Sequence, residues 1–71
     1  MDRYLVKFEG LDGTHLANLE LEGDGLDKVE SDVLSLLSQE FIQVYKDEMN
    51  SHYLAKKAIS KYEIHQLPTI V

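Results

Sequence analysis

The chain contains no cysteine, one proline, four glycines and no long apolar run, and each scarcity removes a class of protein. Without cysteine there are no disulfides, no thiolate metal site and no cysteine nucleophile. No stretch approaches the roughly 20 apolar residues that cross a bilayer. The first ten residues, MDRYLVKFEG, alternate polar and apolar and hold no run of signal-peptide length. These features predict a soluble, cytoplasmic protein with no membrane contact. Gly10, Gly13, Gly23 and Gly25 do not space as a phosphate-binding loop.

The 71 residues predict a single domain spanning 1–71, because two would each be too short to bury a core. A domain of this size buries only about 60% of the surface its unfolded chain exposes, which predicts a stability of ~5 kcal/mol. At 44% hydrophobic and 28% charged, the composition is that of a folded chain.

Charge is unevenly distributed. Residues 1–50 carry twelve acids against Arg3, Lys7, Lys28 and Lys46, a net of −8. Residues 51–71 carry Lys56, Lys57 and Lys61 against Glu63, a net of +2, and the whole chain is −6. A chain of that sign is repelled by phosphate backbones and anionic lipid and attracts basic partners.

Hydrophobic periodicity predicts the elements. RYLVKFE (3–9) alternates, with Tyr4, Val6 and Phe8 on one face; LANLELE (16–22) does the same with Ala17, Leu19 and Leu21. Between them Asp12-Gly13 supplies the φ > 0 positions of a tight reversal, so the two form a hairpin. Leu26, Val29, Val33, Leu36 and Leu37 then fall at helical spacing, predicting a helix over roughly 25–39. Asp24 is its expected N-cap, with Asp27 and Glu30 following where the dipole favours anions.

FIQVY (41–45) is dense in aromatic and β-branched residues and reads as a strand, with a loop at 46–51. HYLAKKAISKYEIHQL has two readings. Leu54, Ala55, Ala58, Ile59 and Tyr62 fit a helical stripe, whereas strand–turn–strand places strands at 53–55 and 59–67. The strand reading leads, because Tyr-Glu-Ile-His alternates and the 41–45 strand needs a neighbour. Pro68 ends this element and Thr69-Ile70-Val71 forms a short apolar tail. The expected fold class is α+β: a small antiparallel sheet with one amphipathic helix packed on one face, ββαβββ, or alternatively ββαβα plus a C-terminal strand. The expected core is Tyr4, Val6, Phe8, Ala17, Leu19, Leu21, Leu26, Val29, Val33, Leu36, Leu37, Ile42, Val44, Ile59, Tyr62 and Ile64.

Motifs for chemistry are sparse. His15, His52 and His65 fall in different predicted segments with no metal-ligand spacing, so they read as separate surface histidines. Residues 22–27 hold Glu22, Asp24 and Asp27 but lack the D-x-D-x-D-G pattern of a calcium loop. No serine–histidine motif is present, and the acids sit at wet positions where no cleft raises a carboxyl pKa. The chain therefore reads as a non-enzyme that takes no cofactor or metal. The stretch YLAKKAISKYEIH resembles short bacterial or phage proteins, a resemblance that implies no activity.

Three binding readings remain. The first is a regulatory or adaptor module with a basic protein partner, bound through Glu20, Glu22, Asp24, Asp27, Glu30 and Asp32. In its sharper form, the alternative, those carboxylates imitate DNA phosphates and inhibit a nucleic-acid-binding protein. The third is a nucleic-acid binder using Lys56, Lys57 and Lys61 beside Tyr53 and Tyr62, which the acidic background disfavours. A homodimer is also expected, since Leu11, Leu16, Leu34, Ile70 and Val71 lie off the predicted inward faces.

Overall fold

The alternation of β1 (Asp2–Glu9) organises the molecule, a computed structural model that describes residues 2–68. Tyr4, Val6 and Phe8 are buried while Arg3 is exposed, so the strand has one dry face. β1 is the middle strand of an antiparallel sheet ordered β2-β1-β5, with β2 at His15–Gly23 and β5 at Lys61–Gln66. The register sets Tyr4 opposite Leu21 and Gln66, Val6 opposite Leu19 and Ile64, and Phe8 opposite Ala17 and Tyr62. Because side chains on a strand alternate between faces, this register collects the apolar residues of all three strands on one side.

The helix α1 (Leu26–Leu36) lies on that side, with Val29 and Val33 fully buried against Tyr4, Val6 and Phe8. β3 (Phe41–Lys46) and β4 (Ser51–Ala55) form a separate two-stranded antiparallel sheet. Its inner face buries Ile42 and packs Val44 and Leu54 against the same cluster. The core therefore lies between the three-stranded sheet and a second layer made of the helix and the β3–β4 ribbon. Among the described residues no helix is long and apolar enough to cross a membrane.

The α+β class and the ββαβββ order are those expected, and the 51–62 ambiguity resolves to strand, a 3₁₀ turn at Lys56–Ala58, and strand. The strands differ from the expected 53–55 and 59–67: β4 begins at Ser51 and β5 spans Lys61–Gln66, and the loop shrinks to residues 47–50. One expectation is corrected in kind: the strands form two sheets, not one, because β3 pairs only with β4. The backbone at the ribbon's base is closed by the Lys56 amide donating to the Glu40 carbonyl at 2.9 Å.

The helix ends are corrected too. It spans Leu26–Leu36 rather than 25–39, and its N-cap is Gly25, not Asp24, with no side-chain cap bond. Gly25 has φ 140° and ψ 165°, a region essentially closed to residues with a Cβ. That sharp reversal places glycine, not Asp24, next to the first helical residue. At the other end the Ser38 amide bonds the Ser35 carbonyl and the Gln39 amide bonds that of Leu36, so the chain tightens into i→i+3 turns. The Ser38 hydroxyl also donates to the Ser35 carbonyl at 2.6 Å.

In the first hairpin only Gly13 has positive φ (81°), and Asp12 does not. Asp12 instead accepts the Thr14 amide at 3.0 Å, and the Thr14 side chain and amide hold its carboxyl below its ordinary value. A register shift follows: Phe8 faces Ala17 and Glu9 faces His15, leaving Leu16 as the extra residue of a β-bulge. The bulge is why Leu16, expected off the inward face, packs against the core. Leu26 is the converse correction, being 49% exposed although expected in the core. Leu36 and Ala17 are only partly buried. Leu11 and Leu34 remain exposed as expected, and Ile70 and Val71 lie outside the described residues.

Candidate functional site

The six carboxylates expected to form one acidic surface do not share a face. Glu20 and Glu22 alternate with the inward Leu19 and Leu21 on β2, so they stand on the sheet face away from the helix. Asp27, Glu30 and Asp32 are on the helix, which covers the opposite face, and Asp24 occupies the turn between. Two of the six are neutralised: Arg3 reaches Glu20 at 2.6 Å, and Lys28 reaches Asp32 at 2.7 Å one helical turn away. Among the described residues Glu22, Asp24, Asp27 and Glu30 have no ion pair.

The three lysines of the nucleic-acid reading are also separated. Lys61 lies on the outer sheet face, 3.6 Å from Glu9 and 3.7 Å from Glu63. Lys56 and Lys57 sit on the 3₁₀ turn at the base of the ribbon. Tyr62 packs against the core, whereas Tyr53 is exposed. The histidines are equally dispersed, on β2, β4 and β5, and among the described residues no three metal-ligating side chains converge.

What the fold does assemble is the outer face of the β3–β4 ribbon. With Ile42 and Val44 turned inward, strand alternation sends Phe41 and Gln43 outward, and the register sets Tyr53 opposite Gln43. A second β-bulge, between Gln43 and Tyr45, interrupts the alternation: Tyr45 pairs with His52, which stands on Leu54's side of the ribbon, away from Tyr53, the Tyr45 and His52 ring centroids being 5.3 Å apart and tilted 47°. Phe41, Tyr45 and Tyr53 are 57%, 50% and 60% exposed, and Met49 at the tip is 91% exposed. Aromatic side chains bring large apolar area, so Phe41 and Tyr53 together on one small face are a departure from isolated surface residues.

The ribbon and its tip are held in place by their own polar groups. The Tyr45 hydroxyl donates to Asp47 at 2.6 Å, and the same carboxylate accepts the Met49 and Asn50 amides at 2.9 and 2.7 Å. The Tyr45 hydroxyl and these amides lower the Asp47 carboxyl to about 2. The same bond raises the Tyr45 phenol, since ionising it would set two anions together. Gln43 donates to the Ser51 hydroxyl at 3.0 Å and to the Tyr53 hydroxyl at 3.4 Å. Shallow grooves flank the ribbon: one of ≈ 340 Å³ floored by Phe41 and Ala55 beside Glu40, Lys56 and Lys57, and one of ≈ 440 Å³ where β3 meets β2 at Leu19.

Sequence reasoning placed a strand at 41–45 but not a site there. The signal was present: FIQVY carries large apolar residues at both alternating positions, more than one core-facing side can use. No protein-family model matches the chain, and no curated protein or solved structure matches it.

Proposed function

We propose that this chain is a non-catalytic protein-binding module, of the regulatory or adaptor kind, that docks through the outer face of the β3–β4 ribbon. The observation that carries this reading is two aromatic rings more than half exposed, Phe41 and Tyr53, on one face, with the Tyr53 hydroxyl accepting from Gln43. Interface centres are enriched in aromatic residues and methionine, and binding energy concentrates in such anchors. A Tyr53 ring held by Gln43 loses little rotamer freedom on binding, which lowers the cost of association.

A second reading is supported by Glu22, Asp24, Asp27 and Glu30, the four carboxylates of that region without an ion pair among the described residues. They would attract a basic protein, a DNA-mimicking inhibitor's target being the sharpest case, and steer its approach. Affinity capture from the native host's extract separates the two. The wild-type chain, a Phe41→Ser/Tyr53→Ser variant and a Glu22→Lys/Asp24→Lys/Asp27→Lys variant are compared after each is shown folded by circular dichroism. Loss of a captured protein with the ribbon variant alone supports the ribbon. Loss with the acidic variant alone overturns it in favour of the carboxylates. Capture abolished by nuclease returns the function to nucleic acid and overturns both.

A further inference from the structure

The three-stranded sheet has two edges, and they are finished differently. β2 carries Glu20 and Glu22, has β3 beside it at Leu19, and is the strand that α1 also approaches. β5 bonds to β1 alone, with no bulge in their register and no proline before Pro68. Two bonds fix which of its backbone groups are free. The Leu67 amide donates to the Arg3 carbonyl at 2.8 Å and the Ser60 amide to the Glu9 carbonyl at 2.9 Å, so odd-numbered residues of β1 turn their backbone towards β5. With Leu5 opposite His65 and Lys7 opposite Glu63, the ladder bonds belong to His65 and Glu63. Tyr62, Ile64 and Gln66 therefore turn their N–H and C=O groups outward, a template for another strand. The same edge is thinly covered on its core side: Tyr62 and Ile64 are only partly buried, whereas Phe8 and Val6 opposite them are fully buried. We propose that β5 pairs antiparallel with β5 of a second copy about a two-fold axis, giving a continuous sheet ordered β2-β1-β5-β5-β1-β2.

Hydrogen bonding and charge select the register. With Ile64 opposite Ile64, Tyr62 meets Gln66 and Glu63 meets His65, so the two strands overlap along their whole length. The outward-turned residues then form three pairs that exchange two backbone bonds each, about six in all, and no acid stands directly against an acid. Moving the centre to Glu63 sets the two Glu63 carboxylates opposite each other, a destabilising like-charge pair. Moving it to Tyr62 carries Gln66 and Leu67 past the start of the mate's strand, onto its 3₁₀ turn. In the favoured register Tyr62 and Ile64 of one copy come beside those of the other, covering side chains that each sheet alone leaves half-buried. The contact is isologous and closed, and the remaining edge of each sheet has β3 beside it, so association stops at two. The inference goes beyond the ribbon reading, because the contact is made by β5 and its failure leaves that reading unaffected.

Sedimentation equilibrium from about 10 to about 300 µM, joined to amide exchange by NMR, tests this. The expected mass rises with concentration from the 8.1 kDa of one chain towards twice that value. Exchange should slow with concentration at Tyr62, Ile64 and Gln66, while Glu63 and His65, already bonded to β1, stay protected throughout. Gln66 is exposed and its N–H is not used by β1, so Gln66→Pro costs the monomer no ladder bond yet removes one from each strand of the dimer. It should weaken association at least about tenfold, with Gln66→Ala as the control that does not, each variant first shown folded by circular dichroism. His65→Glu, which sets acid against Glu63 of the mate, should weaken association about threefold or more, and His65→Lys should tighten it. A monomer mass throughout, edge amides indifferent to concentration, or a dimer that survives Gln66→Pro overturns the proposal. Tightening by His65→Glu overturns the register, since it would place His65 against Lys61. A dimer lost in the Phe41→Ser/Tyr53→Ser variant overturns β5 as the contact.

Discussion

Replacing Val33 with alanine should destabilise the domain by about 1.5–2.5 kcal/mol, and the same change at the neighbouring Leu34 should not. Val33 is 0% exposed and packs in the buried cluster, whereas Leu34 is 60% exposed. Removing two buried carbons costs about 1.6 kcal/mol in transfer free energy at ~0.8 per group. A cavity of roughly 50 Å³ adds up to about 1.2 kcal/mol at 24 cal/mol per Å³, less whatever the site recovers by collapsing. Alanine's better helix propensity returns about 0.5 kcal/mol. At Leu34 the burial and cavity terms nearly vanish, so the change stays within about 0.5 kcal/mol although more atoms are removed. Urea unfolding followed by circular dichroism reads both. With a slope near 1 kcal/mol/M, the Val33→Ala midpoint falls by about 1.5–2.5 M, a large part of a stability of ~5 kcal/mol. Equal losses at the two positions, or a Val33→Ala loss below about 0.5 kcal/mol, would refute the assigned helix face.

Two further perturbations test the turns. Gly25→Ala should cost about 1–3 kcal/mol, from backbone conformation alone, because no atom lies within 4 Å of an added Cβ there. Gly10→Ala, where φ is not positive and an added Cβ makes only ordinary contacts, should stay within about 0.5 kcal/mol; thermal or urea melts compare them. Asp47, lowered from 3.8 to about 2, contributes its full stabilisation above the unfolded value and loses it as pH falls through about 2. Amide exchange at Met49 and Asn50 should therefore accelerate below about pH 4 relative to the rest of the ribbon, and Asp47→Ala should produce that acceleration at neutral pH. Unchanged exchange at both amides would remove Asp47 from its role at the tip.

How much of this was legible beforehand follows the range of the interaction concerned. Strict alternation in RYLVKFE and the i, i+3, i+4 stripe through Val29 and Val33 are local patterns, and they determined β1, β2, the helix and the centre of the core. Asp12-Gly13 likewise marked the first reversal. A tertiary contact decided each feature the sequence reading missed or misplaced. Leu16 entered the core because of a bulge that depends on pairing with β1. β3 left the main sheet because its backbone bonds go to β4 alone. The acids between Glu20 and Asp32 are adjacent along the chain, yet they cross from a strand's outer face, through a turn, to a helix on the sheet's other side. Sequence proximity therefore never became a common surface. The aromatic face arose the other way, from Phe41 and Tyr53, residues twelve positions apart that only strand pairing brings together. Composition and periodicity thus determined the class of fold and its dry side. Which exposed residues stand together was decided by register and layer packing, which depend on partners distant in the chain.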